Sequence, residues 1–200
     1  MISVSGKIWT EQKVNKNLIE KFKQDYGLGD ILSKLIVSRN YDASEIYGIN
    51  NKQKLINIFK DDDDFHKASL IAINAIKNDE NICILGDYDV DGACATSLLV
   101  RYFNHINQKH FFYIPDRTED GYGASKKLFQ KLILKKPKLI IMVDCGSTSN
   151  DAIEYLNKYN IKSIIIDHHE INKPYPKSNI IINPKKKILM MKIFIYVLLV

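Results

Sequence analysis

The sequence predicts an α/β protein: a parallel sheet of about five strands flanked by helices, preceded by a helical N-terminal segment. Three observations predict it. From residue 81 onward, short apolar runs alternate with segments of helical periodicity, the pattern of successive βαβ units. The runs are continuously apolar, as strands covered on both faces require, and such sheets are parallel. Three runs also end in charged clusters, GDYDVDG, VDCGS and IDHHE, where open parallel sheets gather ligands beyond the carboxyl ends of their strands.

Residues 1–79 read as a polar, helical lead-in. Apolar residues recur at helical spacing in NLIEKFKQDYG and GDILSKLIVSRN, with Gly27 and Gly29 breaking the two stretches. A third helix is expected in DDDDFHKASLIAINAIKND, whose acidic run Asp61–Asp64 suits the positive end of a helix dipole. That run reads as a solvated cap rather than a metal site, because contiguous helical residues point around the axis. Residues 80–184 form the sheet domain. NICILGDYD, HFFYIPD, KLIIMVDCG and KSIIIDHHE are strands, NIIINP is a fifth candidate, and the intervening GACATSLLVRYFNHI, ASKKLFQKLILKK and SNDAIEYLNKYN are helices.

Composition narrows the class. The 200 residues are 46% hydrophobic and 26% charged, with 9 Gly and 5 Pro, which excludes disordered and collagen-like chains. With no uncharged apolar run of 18 residues and no signal-peptide core, the expectation is a cytoplasmic protein with no membrane span. Cys83, Cys94 and Cys145 are odd in number and lack C-x-x-C spacing, so neither a disulfide framework nor a structural zinc is indicated. The net charge of +6 suggests an acidic partner, yet four positive charges follow Pro184, and residues 1–184 carry only +2.

The strand ends carry the chemistry. In GDYDVDG, Asp87, Asp89 and Asp91 fall at every second residue, and an extended segment would project them to one side. Three crowded carboxylates call for a divalent cation, although an Asp-rich turn with capping roles fits the same letters. In IDHHE, the His168–His169 pair with Asp167, one strand from Asp144, suits Mn²⁺, Fe²⁺ or Zn²⁺ better than Ca²⁺. Arg117 either clamps a phosphate or pairs with Glu119 or Asp120. Cys145 lies beside Asp144, but core packing is the expectation for the cysteines at 83 and 94, and no thiol nucleophile is needed where ions activate water.

Taken together, GDYDVDGACATSLL, YIPDRTEDGYGAS, VDCGS and DHHE resemble motifs I to IV of the DHH phosphoesterase superfamily, and within it the branch of single-stranded-DNA-specific exonucleases. The resemblance implies a DHH-type domain and two Mn²⁺ or Mg²⁺ ions. It also implies single-stranded DNA as substrate, degraded from the 5′ end, and a role in DNA repair and recombination. It makes Asp89 and Asp91 ligands, Asp144 the bridge between the ions and His168 a ligand. Asp87 is a ligand or stands just behind the ligands, Asp167 orients a histidine, and His169 faces the scissile phosphate. Arg117, Tyr122 and Gly123 join the substrate side. Two alternatives remain at this stage: a superfamily phosphoesterase for short oligonucleotides, cyclic dinucleotides or pyrophosphate, and a non-catalytic DNA-binding protein on the same fold.

The resemblance also implies a further metal-binding aspartate and more domains after DHHE. Instead, residues 188–200 contain twelve apolar side chains and Lys192. The expectation is therefore an incomplete exonuclease domain with an atypical tail over 185–200, the product of a frameshift near Lys185–Lys187 or of a truncation, and weakly active or inactive alone.

Overall fold

The structure, a computed structural model, describes residues 4–8, 10, 12–41, 62–121 and 123–186. Asp61, Tyr122 and the apolar tail from residue 187 lie outside the described residues. The chain divides into two compact units, residues 1–56 and 57–200.

In the first unit, helices Lys16–Tyr26 and Asp30–Ser38 pack against one another. Asn15 starts the first by accepting bonds from the Asn17 and Leu18 amides, and Gly27 ends it in the left-handed conformation at φ 63.

The second unit holds five strands: β1 (Ile82–Leu85), β2 (His110–Tyr113), β3 (Leu139–Val143), β4 (Lys162–Ile166) and β5 (Ile180–Ile182). All pair in parallel, in the order β2-β1-β3-β4-β5. The parallel five-stranded sheet expected from the continuous apolar runs is present. Alternate side chains feed two cores, as a pleated strand dictates. Cys83, Leu85, Ile140, Met142 and Ile165 face one layer, with Leu128 and Phe129 of helix Lys126–Leu132 and Ile153 and Leu156 of helix Asn150–Lys158. Ile82, Ile84, Leu139, Ile141 and Ile164 face the other, with Ala68 and Ala75 of helix Asp63–Lys77 and Phe103 of helix Val90–His105. Each fully buried Leu, Ile or Phe is worth about 1.5–3 kcal/mol, so these two layers dominate the unit's stability.

Helix Asp63–Lys77 thus lies on the sheet, although its sequence grouped with the polar lead-in: its small residues Ala68 and Ala75 allow close approach to the strands. Within the acidic run the cap is Asp62, buried rather than solvated as expected. Asp62 accepts a 2.8 Å bond from the Phe65 amide, and Asp64 pairs with Lys186 at 3.2 Å. Asp62→Ala is expected to cost about 1 kcal/mol in urea unfolding; no measurable change would show that this cap contributes nothing.

The chain leaves β1 toward β2 on one side, while β3 pairs on its other side. The carboxyl ends of β1 and β3 therefore border the crevice where strand order reverses, the general ligand position in such sheets.

Candidate metal centre

β1 delivers its loop to that crevice through two glycines. A Cβ on Gly86 would collide with Thr96 Oγ1, and one on Gly92 would sit 2.6 Å from the Asp87 amide nitrogen. Without side chains at these positions, the helix beginning at Val90 can close onto the strand end. Asp87 is buried and Asp89 exposed. Asp89 caps the helix, accepting a 3.0 Å bond from the Gly92 amide, and that bond is the leading cause that holds its carboxyl below the ordinary range.

Asp144 follows β3 at φ 61, a left-handed conformation that aspartate tolerates better than most residues. Its amide donates to the Ile166 carbonyl at 2.8 Å, fixing this turn to the end of β4. The next turn depends on Gly146, at φ 109, where a Cβ would stand 3.1 Å from Met142 Sδ. Asp144 is buried, and its Oδ2 has no hydrogen-bond partner among the described residues. Burial first, then the adjacent Asp89 carboxylate, push its carboxyl up to about 7. At Asp144, desolvation and the neighbouring carboxylate together disfavour ionisation.

β4 supplies the imidazoles. His168 Nε2 is 3.1 Å from Asp144 Oδ1, and His169 Nδ1 is 3.9 Å from the same oxygen. Asp167 Oδ1 accepts the His168 and His169 amides at 2.7 and 3.1 Å and lies 2.8 Å from His169 Nδ1, while its Oδ2 accepts the Ser147 amide at 2.9 Å. Burial would raise the Asp167 carboxyl, but the Ser147 hydroxyl first, then the His169 amide and ring and the Ser147 amide, outweigh it and hold the carboxyl below its ordinary value. For His169, burial alone would lower the imidazole; the Asp167 carboxylate, helped by Asp144 and Asp87, raises it.

Two sets of donor atoms result, Asp87–Asp89–Asp144 and Asp144–His168–His169, each within 4.8 Å of one another, with Asp144 in both. Carboxylates with imidazole form a donor set suited to Mn²⁺, and the orphaned Asp144 oxygen gives it an unmet electrostatic demand.

Asp91 joins neither set. The alternation expected across 87, 89 and 91 stops at Asp89, because Val90 already belongs to the helix, and Asp91 lies exposed in its first turn. Arg117 pairs with neither Glu119 nor Asp120. Its guanidinium lies over the Tyr88 ring, 5.4 Å from the centroid, while Asp120 takes Lys131 at 2.6 Å and the Tyr113 hydroxyl at 2.6 Å. Lys131 and then Tyr113 hold the Asp120 carboxyl down to about 2. Gly123 is buried at φ 67. Cys83 and Cys145 are buried with thiols pushed upward, so neither is poised as a nucleophile; Cys94 is exposed.

Sequence reasoning missed Ser147 and Asn183. Asn183 directly follows the apolar run of β5, the same position relative to its strand as Asp144 and Asp167, and that placement was the available signal.

The sequence model for the DHH family, N-terminal domain, matches residues 81–189. The chain belongs to the DHH family. Within this DHH family, curated relatives include the single-stranded-DNA-specific exonuclease RecJ of Bacillus subtilis, 27% identical over 89% of this chain and 23% of the relative. RecJ of Escherichia coli is 34% identical over 59% of this chain and 21% of its own length. The DHH chain thus spans less than a quarter of these two relatives. Among solved structures, exonuclease RecJ bound to manganese superimposes with a TM-score of 0.60 at 26% identity, over 68% of this chain and 34% of that one. RecJ from Thermus thermophilus with Mn²⁺ gives 0.57 at 20% identity, over 84% and 23%, a likeness of fold.

Proposed function

We propose that this DHH chain carries a two-metal phosphodiesterase site for single-stranded DNA, degrading it from the 5′ end as part of an exonuclease of the RecJ type. The observation that supports it most is the membership of Asp144 in both donor sets. Asp87, Asp89 and Asp144 would hold one Mn²⁺ or Mg²⁺, and Asp144, His168 and His169 the other. When bound, such a pair of ions activates the attacking water and stabilises the leaving oxygen of an in-line displacement.

The chain's own residues do the rest. Asp89 is kept ionised by the Gly92 amide and so presents a full charge at neutral pH. Asp167 keeps the His169 Nδ1 proton engaged, which leaves the Nε2 lone pair for an ion, whereas a protonated Nε2 would donate to a substrate oxygen. Arg117, held over Tyr88 and paired with neither neighbouring acid, has guanidinium donors for a backbone phosphate. The manganese in the two RecJ structures supports Mn²⁺ as the first ion to test.

Because the chain spans less than a quarter of these relatives, metal uptake tests this reading more directly than turnover. Asp144 retains its proton up to about pH 7, far above an ordinary aspartate, so an entering ion must displace that proton at lower pH. Titration of metal-free protein with Mn²⁺ should therefore show affinity rising at least about tenfold per pH unit between pH 5 and 7, then levelling. Folded protein that takes up no Mn²⁺ at pH 8 would overturn the proposal.

A further inference from the structure

Beyond the strand ends already described, β5 sends one polar side chain into the site's foundation. Asn183 is buried, 5% exposed. Its Nδ2 donates to Ser147 Oγ at 2.8 Å and to the His169 carbonyl at 3.0 Å, and its Oδ1 accepts the Lys185 amide at 2.9 Å. Ser147 in turn donates its own amide to Asp167 Oδ2. One side-chain amide thereby joins the turn after β3, the DHH segment after β4 and the end of β5.

We infer that Asn183 is a positioning residue for His169: through its Nδ2 it sets the ring's place against Asp167 and Asp144. This rests on the metal-site reading for its purpose but not for its geometry. The physical basis is a shared anchor. His169 is held through its ring and amide on Asp167 and through its carbonyl on Asn183, and Asp167 and Asn183 both bond Ser147. Remove the Asn183 donor and the His169 carbonyl loses its bond while the Ser147 hydroxyl loses an anchor. The backbone of residue 169 then keeps its amide bond to Asp167 but has lost the Asn183 bond that fixes its carbonyl. Partners of this kind behind a ligand typically contribute about 10–100-fold to metal affinity.

Two variants separate positioning from packing. Asn183→Ala removes every contact, whereas Asn183→Asp keeps the volume and the acceptor for the Lys185 amide but loses the donor. The full chain is examined first without metal, by nitrogen-15 NMR of the histidine rings. Wild-type protein should show a His169 Nδ1–H protected from exchange by its bond to Asp167. Both variants should lose that protection while keeping the wild-type circular dichroism. A protected His169 signal in Asn183→Asp would overturn the inference, since packing and the Lys185 contact would then suffice. If Asn183→Ala does not fold, Asn183→Asp and Ser147→Ala decide. Ser147→Ala, which keeps the Ser147 amide bond to Asp167, should weaken the protection less than Asn183→Asp, and an equal or larger loss counts against Nδ2 as the anchor.

With Mn²⁺ added, either Asn183 variant should bind at least about tenfold more weakly than wild type, with altered histidine nitrogen couplings in the electron paramagnetic resonance spectrum. Unchanged affinity and couplings would overturn the inference. Should wild type itself take up no Mn²⁺, the functional reading fails while the metal-free ring signal still decides the role of Asn183.

Discussion

Asp144→Asn should remove Mn²⁺ binding almost entirely, by at least about 100-fold in affinity, while leaving the fold intact. Asparagine keeps the size of the side chain and tolerates the left-handed backbone at this position, so the turn after β3 survives. What disappears is the one carboxylate present in both donor sets. The same change should stabilise the metal-free protein at alkaline pH. Asp144 is raised to about 7 in the fold against 3.8 for an ordinary aspartate. Below the lower value both folded and unfolded chains hold the proton and nothing is lost. As pH rises from about 4 to 7 the unfolded chain ionises first, so the native state loses stability, and above 7 the loss is complete. Thermal unfolding should show Asp144→Asn matching wild type near pH 4 and exceeding it at pH 8. Undiminished Mn²⁺ uptake, or a variant less stable than wild type at pH 8, would refute the assigned environment.

Gly92→Ala should be among the most damaging single-atom additions to this chain. In an ordinary helix the exchange stabilises by about 1 kcal/mol through backbone entropy and propensity. Here the new methyl would stand 2.6 Å from the Asp87 amide nitrogen and 2.7 Å from its carbonyl carbon, and backbone cannot swing away as a side chain could. Overpacking of this sort costs about 1–3 kcal/mol, occasionally more, so the steric term wins. The displaced segment includes Asp87 and Asp89, and Mn²⁺ affinity should fall together with the unfolding midpoint. A variant as stable as wild type with unchanged Mn²⁺ affinity would show that the loop yields.

Most of the sheet domain was readable because its strands are continuous apolar runs and its helices carry clear periodicity. Where reading failed, the cause was tertiary. Asp91 looked equivalent to Asp87 and Asp89 because alternation assumes an extended chain, and nothing in GDYDVDG marks Val90 as the first helical residue. Of the two readings of Arg117, phosphate clamp or ion pair with Glu119 or Asp120, the second fell because Lys131, eleven residues from Asp120, reaches that buried carboxylate from the following helix. The layer joined by helix Asp63–Lys77 depends on which apolar face meets which strand, information that its amphipathic pattern lacks. Asn183 carries no charge and follows a strand of only three isoleucines, so its connection to His169 became visible only in space.

The crossover order also bears on biogenesis. On a ribosome the GDYDVDG segment emerges well before β3 and β4 have been made. Its acids lack Asp144 and both imidazoles until β3 docks beside β1 and β4 beside β3. A nascent chain therefore has no complete receptacle for a cation until the later strands are in place, and any ion captured by the full donor set would enter a finished sheet.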